Sequence, residues 1–401
     1  MATQNPELDM KLPSGLEPSQ RRVDPFTWYE TMRSTEPVRY DEERERWDVF
    51  RYDDVRRVLS DYETFSSAGL SDFDSFDVLG TVLVDENPPE HDRLRGVVDE
   101  FFQPGNLESL RSSVRSIVDE QLDRTLEDGP AIDAIGQLTA PVTVLTISRL
   151  LGIPREDWDT VKQWSDVMGG GGASESEDWK DAQRTFKEIR EYIGTLLEER
   201  RGEDRDDVIS AITSTEASEN ALSKEEQISF CIFLFLAGHS TTTHAAGSVL
   251  WTLAEENQYE NLRDGKLDRE LTFEESLRYR GPVQSLSGRH TTEEVELSGV
   301  TIPAGEQVTS WIGSANRDPE VFDDPEQFQP DRRANRHIAF GFGPHVCLGA
   351  PLARLEGDTI LDAVTDRIQD IELAEESFDP EPMSWPLTYG LDSLPMRFYG
   401  M

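Results

Sequence analysis

The sequence predicts a mainly α-helical fold with a small β region. Three observations carry that reading. Between Pro89 and Arg280, apolar residues recur at helical spacing through one segment after another. Beyond Arg280 the pattern shortens to stretches of strand length. The 401 residues contain no Ser/Gly-rich or proline-rich linker and no internal repeat, so one unit spanning 1–401 with a large core is expected.

Taken in order, Asp24 and Pro25 supply an N-cap and a first helical position for a short helix over 26–32, leaving 1–23 as an N-terminal extension. Residues 38–40 and 47–50 flank a charged turn and predict a hairpin at the edge of a small sheet, followed by a helix over 53–59. Residues 66–83 mix Gly, Ser, Asp and Phe without periodicity, which predicts a long functional loop. Helical patterns then cover 89–102, 107–126, 138–151, 158–168, 179–200, 224–254 and 273–280, with the four glycines 169–172 as a hinge between two of them. Short strands are expected at 295–297, 301–302 and 306–312. A last helix over 352–368 and a strand-like tail near 396–398 complete the chain.

Composition narrows the function classes. The net charge is −41, from 39 basic and 80 acidic residues, and lysine occurs only at Lys11, Lys162, Lys180, Lys187, Lys224 and Lys266. Such a surface repels itself strongly in dilute buffer. Molar salt shortens the screening length to ~3 Å and removes most of the penalty. Acid surplus with few lysines therefore points to a halophilic protein. It also argues against nucleic-acid binding, whose phosphates demand the opposite charge. Cys231 and Cys347 cannot build a disulfide framework, which suits a reducing cytoplasm. The N-terminus lacks the basic and apolar regions of a signal peptide. The apolar run 230–236 passes too soon into His239-Ser240-Thr241-Thr242-Thr243-His244 to span a membrane, so no membrane anchor is expected.

The motif richest in chemistry is Phe340-Gly341-Phe342-Gly343-Pro344-His345-Val346-Cys347-Leu348-Gly349, running into Ala350-Pro351-Leu352-Ala353-Arg354. Gly341, Gly343 and Gly349 let the backbone approach a flat ligand closely. Backbone N–H groups near a helix start favour negative charge, so Cys347 can be held as a thiolate. A lone cysteine is more often a small buried hydrophobe, and Cys231 in its apolar run reads that way. Three further patterns are weaker alone. Glu275 and Arg278 stand at i, i+3 of a helix, the spacing of an ordinary surface pair. His91 and Arg95, at i, i+4 in Pro88-Pro89-Glu90-His91-Asp92-Arg93-Leu94-Arg95, share a face and can both reach an anion. Ala237, Gly238, His239, Ser240 and Thr241 interrupt a long apolar helix with small and hydroxyl residues, as a close helix–helix contact also would.

The run 340–349 resembles, at every fixed position, the haem-binding loop of the cytochrome P-450 superfamily, and the ordered motifs extend the resemblance over about 24–398. That resemblance implies the triangular, mainly helical fold with a long central helix over the haem. It implies haem b (iron protoporphyrin IX) as cofactor, with Cys347 as axial ligand of the iron and Phe340, Gly341, Gly349 and Ala237 lining its site. By the same resemblance, His91, Arg95, Arg289 and His345 fall on the residues that hold the haem propionates. The spacing from Arg278 to Arg289 is one residue longer than usual in the family, which predicts a bulge within 284–288. Glu275, Arg278 and Arg332, the last in Phe328-Gln329-Pro330-Asp331-Arg332, resemble the family's structural ion cluster on the proximal side. Thr241 takes the place of the threonine that aids proton delivery on the distal face, with Ser240 where the family normally has Asp or Glu. A hydroxyl relays a proton but is a poor reservoir for one. The resemblance assigns Gly238, Val283 and Leu387 to the substrate pocket, with contacts from 66–83, the 169–172 region and 387–391. It turns His239 away from the haem.

The activity implied is reductive activation of dioxygen and insertion of one oxygen atom into a small apolar substrate, of isoprenoid, steroid or fatty-acyl class. No flavin or iron–sulfur domain is fused to the chain, so a separate ferredoxin with its reductase is the expected electron donor, and a monomer is expected. Arg93, Arg111, Arg115, Arg333, Arg336 and Arg354 are expected to form a locally basic or neutral docking patch near Cys347, unless they serve as internal ion-pair partners. Ser240 leaves a peroxide-driven peroxygenase as the alternative, which retention of Thr241 opposes. A haem-bearing sensor or scaffold is the non-enzymatic reading, and the intact distal motif opposes it.

Overall fold

The structure, a computed structural model, describes residues 12–16, 24–68, 83–127, 129–169, 177–203, 205–214, 222–374 and 389–400. The first helix, α1, runs Phe26–Thr35 and its N-cap is Pro25 rather than Asp24; Asp24 stands one residue further out and accepts from the Phe26 N–H at 3.1 Å. The expected hairpin comes next as β1 (Val38–Asp41) and β2 (Arg46–Val49), then α2 (Tyr52–Ser60) and the two-residue β3 (Phe65–Ser66).

The pattern over 89–102 is not one helix. After α3 (Glu90–Gly96), Val98 leaves helical geometry at φ −122°, and a 3₁₀ turn (Asp99–Phe102) brings Phe102 into the core beside Val98. The next helix likewise begins late, as α4 (Arg111–Leu126), after tight turns from Pro104. Strand β4 (Ala131–Asp133) leads into a wide π turn (Ala134–Thr139), started by the Asp133 carboxylate accepting from the Ile135 N–H. Then comes α5 (Ala140–Leu151), stopped by Gly152 at φ +88°, a backbone state that costs glycine little. The stretch Ala134–Leu151 is apolar and long enough to cross a membrane, yet most of it is buried inside the fold.

Helices α6 (Trp158–Gly169), α7 (Glu177–Arg200) and α8 (Val208–Ser214) precede α9 (Lys224–Glu255), the longest element. A capping box starts α9. Ser223 accepts from the Glu226 N–H, and Glu226 accepts from the Ser223 N–H at 2.6 Å, which satisfies two donors that a helix start would leave unpaired. Residues on every side of α9 are buried, as befits a helix through the middle of a core. After α10 (Tyr259–Arg263) and α11 (Arg269–Arg280) come β5 (Leu286–Thr291), β6 (Val295–Leu297), β7 (Val300–Ile302), β8 (Gln307–Ser310), α12 (Ala350–Arg367), β9 (Asp370–Leu373) and β10 (Pro395–Tyr399).

Three sheets result: β1-β2-β8-β5-β3, with β2 and β8 parallel, then β4-β10-β9 and β6-β7. The main core gathers side chains of α4, α5, α7, α9, α11 and α12. A second one lies under the larger sheet, and a third joins Trp28, Tyr29, Phe50 and Trp311. Strands β4, β5 and β9 and the short helices α8 and α10 escape the periodicity reading. They are too brief, or in β5 (Leu-Ser-Gly-Arg-His-Thr) too polar, to show a period.

Candidate active site

The cysteine loop is shaped by its own backbone. The Cys347 N–H donates to the Phe340 carbonyl at 2.8 Å, the Gly341 N–H to Ile338 at 2.8 Å, and the Val346 N–H to Gly343 at 3.1 Å. Gly343 has φ +79°, and a Cβ there would lie 2.7 Å from Ser60 Cα, so the loop seats against the end of α2 only with glycine. Gly349 then caps α12. Burial pushes the Cys347 thiol pKa up. Against it act the Gly349 N–H, the Arg95 charge, the Ala350 N–H and the Arg354 charge, all favouring thiolate. Cys347 nonetheless exposes surface. A sulfur deep enough to feel burial, yet with a clear face, lines an opening within the protein.

Near it the structure gathers the four sequence-predicted cationic and imidazole groups. The rings of His91 and His345 lie 4.4 Å apart. Burial, then Arg289, His91 and Arg95 in turn, push the His345 pKa down to about 3. Arg95 also donates to the Val346 carbonyl at 2.7 Å, tying α3 to the loop. Arg289 follows Gly288 at φ +81°, and the ladder of β5 with β8 shifts register between Leu286 and Arg289. The extra residue is absorbed by this irregularity, within the span where a bulge is expected. His91 meets Asp92 through Nδ1, while its buried Nε2 has no partner among the described residues. Sequence reasoning missed Ser67 and Asn87. The Ser67 hydroxyl meets His345 Nε2 at 3.2 Å and Asn87 Oδ1 at 2.9 Å, bracing the ring from a segment read only as loop.

In α9, burial is interrupted in mid-helix. Ala237 is exposed and Gly238, Ser240 and Thr241 are half-buried, while the turns on either side, 227–235 and 242–253, are almost wholly buried. An opening therefore runs alongside this turn. A Cβ on Gly238 would come 2.9 Å from Ile147 Cδ1, so glycine also permits the close approach of α5. Thr241 Oγ1 donates to the Ala237 carbonyl at 3.2 Å. His239 is buried with Nδ1 2.8 Å from the Phe235 carbonyl, turned into the helix packing.

Glu275, Arg278 and Arg332 do come together. Arg278 donates to both Glu275 oxygens, Arg332 donates at 3.0 Å, and the Gln329 N–H and Asn335 amide complete the acceptor's shell. Val283 packs at the margin of the sheet-side core. Leu387, most of 66–83 and nearly all of the 169–172 hinge lie outside the described residues.

The surface arginines behave differently from a free basic patch. Arg93 is held by Glu90 and Glu226, Arg111 by Glu108 and Asp358, Arg115 by Asp119, Asp362 and Asp366, and Arg354 by Glu274. Four of the six are ion-pair partners, which leaves exposed Arg333 and Arg336 and the partly exposed Val346 beside Cys347.

This donor set fits haem b. The thiol with a clear face suits an axial iron ligand. The orphaned His91 Nε2 and the Arg95–Arg289–His345 cluster suit two carboxylates, and the opening beside α9 suits the ring face. Comparison with known proteins agrees. The family model described as "Cytochrome P450" matches residues 270–378. Cytochrome P450 109 of Bacillus spizizenii is 35% identical over 389 residues, covering 95% of this chain and 94% of that protein. Cytochrome P450 monooxygenase PikC of Streptomyces venezuelae is 34% identical over 94% of this chain and 91% of its own length. Substrate-free CYP109E1 of Bacillus megaterium superposes with a TM-score of 0.87 at 38% identity, covering 95% of this chain and 100% of that one. The same enzyme in complex with corticosterone gives 0.85 at 37% identity, covering 94% and 99%.

Proposed function

Because this chain belongs to the cytochrome P450 family, and is thereby a haem b monooxygenase, we propose that Cys347 ligates the iron, that a separate ferredoxin with its reductase supplies electrons, and that the substrate is an apolar molecule of steroid class. The observation that carries the reading is a clear-faced thiol at a helix start together with a mid-helix opening at Ala237 and Thr241, their neighbours Leu348 and Leu236 packing in the same core. The steroid class is supported by the likeness to CYP109E1, whose structures hold corticosterone and testosterone.

When bound, haem supplies the redox chemistry that activates dioxygen. The protein's own residues do the rest. The N–H groups of Gly349 and Ala350 hold negative charge at the sulfur. Arg95, Arg289, His91 and His345 bind the propionates, His345 being kept in place by Ser67. Ala237 and Gly238 leave room on the distal side, and Thr241 Oγ1 can turn from the Ala237 carbonyl to hold a proton where oxygen is reduced. Ser240 passes a proton but stores none at neutral pH. Glu275, Arg278 and Arg332 brace the proximal segment. We read the chain as a single-unit cytoplasmic monomer.

A peroxide-driven reaction is the second reading, favoured only by Ser240 in place of an acid. Spectral titration with corticosterone, testosterone and a fatty-acid panel tests the substrate class. Turnover of the ligands that shift the spectrum, on NAD(P)H with ferredoxin and reductase or on peroxide alone, separates the two reactions. Spectral shifts with fatty acids and none with steroids would reject the steroid class. Product on peroxide alone would reject the ferredoxin route.

A further inference from the structure

Four hydrogen bonds meet at the half-buried Asn87, which stands three residues before α3. Its Oδ1 accepts from the Ser67 N–H at 3.2 Å and from the Ser67 hydroxyl at 2.9 Å, while its Nδ2 donates to Ser66 Oγ at 2.7 Å. Its own carbonyl accepts from the His91 N–H at 3.0 Å. A backbone N–H can only donate, so the Ser67 N–H fixes which way the amide faces. The same counting directs the next bond. Asn87 Oδ1 carries no hydrogen, so the 2.9 Å contact takes the single hydrogen of the Ser67 hydroxyl. Ser67 Oγ then faces His345 Nε2, 3.2 Å away, as an acceptor, and the imidazole is the donor.

Each of these bonds leads towards a group assigned to the haem carboxylates. Through Ser67 the amide reaches His345 of the cysteine loop. Through Ser66, which pairs with His290 between β3 and β5, it reaches the strand that carries Arg289. Through its own carbonyl it holds the first turn of α3, which carries His91 and, one turn later, Arg95. Ser66 and Ser67 are both buried, Ser67 to 1% exposure, so bulk water cannot replace the amide. Without it the Ser67 hydroxyl keeps only the Glu86 carbonyl, at 3.3 Å, and is released to turn on His345. A buried donor or acceptor left unpaired is costly, so the segments would shift to find other partners.

We propose that Asn87 is the positioning residue of the haem-carboxylate site: one amide sets the spacing of α3, the β3–β5 pair and the cysteine loop, and with it the placement of His91, Arg95, Arg289 and His345 against the two carboxylates. Asn87 acts through Ser66, Ser67 and the backbone of α3, not by contact. Its effect reaches the iron as charge. Cations and hydrogen-bond donors held close to the carboxylates offset their negative charge. When those groups drift away, the uncompensated charge favours ferric over ferrous iron. The clasp therefore sustains two separate properties, retention of the haem and its reduction potential.

The inference rests on the haem-thiolate reading, so the carbon monoxide spectrum of the reduced wild-type holoprotein is recorded first. Absence of the thiolate band there would sink that reading by itself. Haem transfer from the ferric holoprotein to excess apomyoglobin and the midpoint potential are then measured, all at one molar salt concentration. Asn87→Leu keeps the size and removes every polar atom. It should release haem about tenfold faster and lower the midpoint potential, with the carbon monoxide band retained. Ser67→Ala, which cuts the same chain one bond later, should move both readouts the same way, and it decides the matter should Asn87→Leu fail to fold. The double variant should release haem no faster than Asn87→Leu alone, because both changes break one chain. Asn87→Asp should release haem near the wild-type rate, since its oxygens can accept from Ser67 and from a turned Ser66 hydroxyl. Wild-type release and potential in Asn87→Leu, or in Ser67→Ala where it decides, would overturn the proposal. So would faster release that only tracks a lower melting temperature while the potential of the retained haem stays unchanged, since that is the mark of a merely structural contact.

Discussion

Arg278 donates two hydrogen bonds to Glu275, at 2.8 and 2.7 Å, and neither side chain exposes any surface. The same guanidinium reaches the carbonyls of Asn316, Pro325 and Gln327, so one i, i+3 pair of α11 pins the whole segment leading to the cysteine loop. Removing one member strands the other charge in the core, at a cost of about 3–5 kcal/mol. Glu275→Ala should show that loss in urea unfolding of the holoprotein and release haem readily. A loss under about 1 kcal/mol, typical of an exposed pair, would mean the cluster is solvated in solution.

Cys347→Ala and Cys347→His should both lack the red-shifted Soret band that reduced, thiolate-ligated haem gives with carbon monoxide. Because the loop is held by main-chain bonds rather than by the thiol, each variant should still fold, as judged by circular dichroism. A retained band in Cys347→Ala would rule out this residue as the ligand.

Stability should rise with salt. The chain keeps a net charge of −41, although many of its arginines are already paired with acids. Dilution from 1 M to 0.01 M salt extends the range of repulsion from ~3 Å to ~30 Å. Melting temperature and haem retention should both fall on dialysis to millimolar salt; an unchanged melting curve would contradict this.

Thr241→Ala should divert electrons to hydrogen peroxide, read as peroxide and product formed per NAD(P)H, while leaving substrate spectra intact. Ser240→Asp should preserve folding and turnover and raise coupling, since it adds a carboxylate beside Thr241. Full coupling in Thr241→Ala would return Thr241 to a helix-packing role.

Acid should weaken the fold through His244. Burial, followed by the nearby His239 charge, pushes its pKa from 6.5 down to about 4. The folded state therefore keeps the ring neutral where the unfolded chain takes up a proton. This stability is complete above about pH 6.5 and is lost as pH falls towards 4, amounting to about 3 kcal/mol. Unfolding free energies of wild type and His244→Gln, measured from pH 7 to 4, should converge as the pH drops. Parallel curves would show that His244 does not titrate in the unfolding reaction.

Contiguity decided what could be read in advance. The cysteine loop and the Glu275–Arg278 pair draw on residues a few positions apart, so their hydrogen bonds are written in local order. The mid-helix break at Ala237 to Thr241 shows the same way, as small and hydroxyl residues within an apolar run. Tertiary structure alone decided the contacts between distant segments. Ser67 meets His345 across 278 positions, and Thr143 meets Thr243 across 100. Four expected docking arginines turned out to be held by acids, because α12 presents Asp358, Asp362 and Asp366 to α4, and Glu226 and Glu274 lie within reach of Arg93 and Arg354. Glu356 looked like any acid in an acidic chain. Packing buried it away from any cation among the described residues, which no local pattern records.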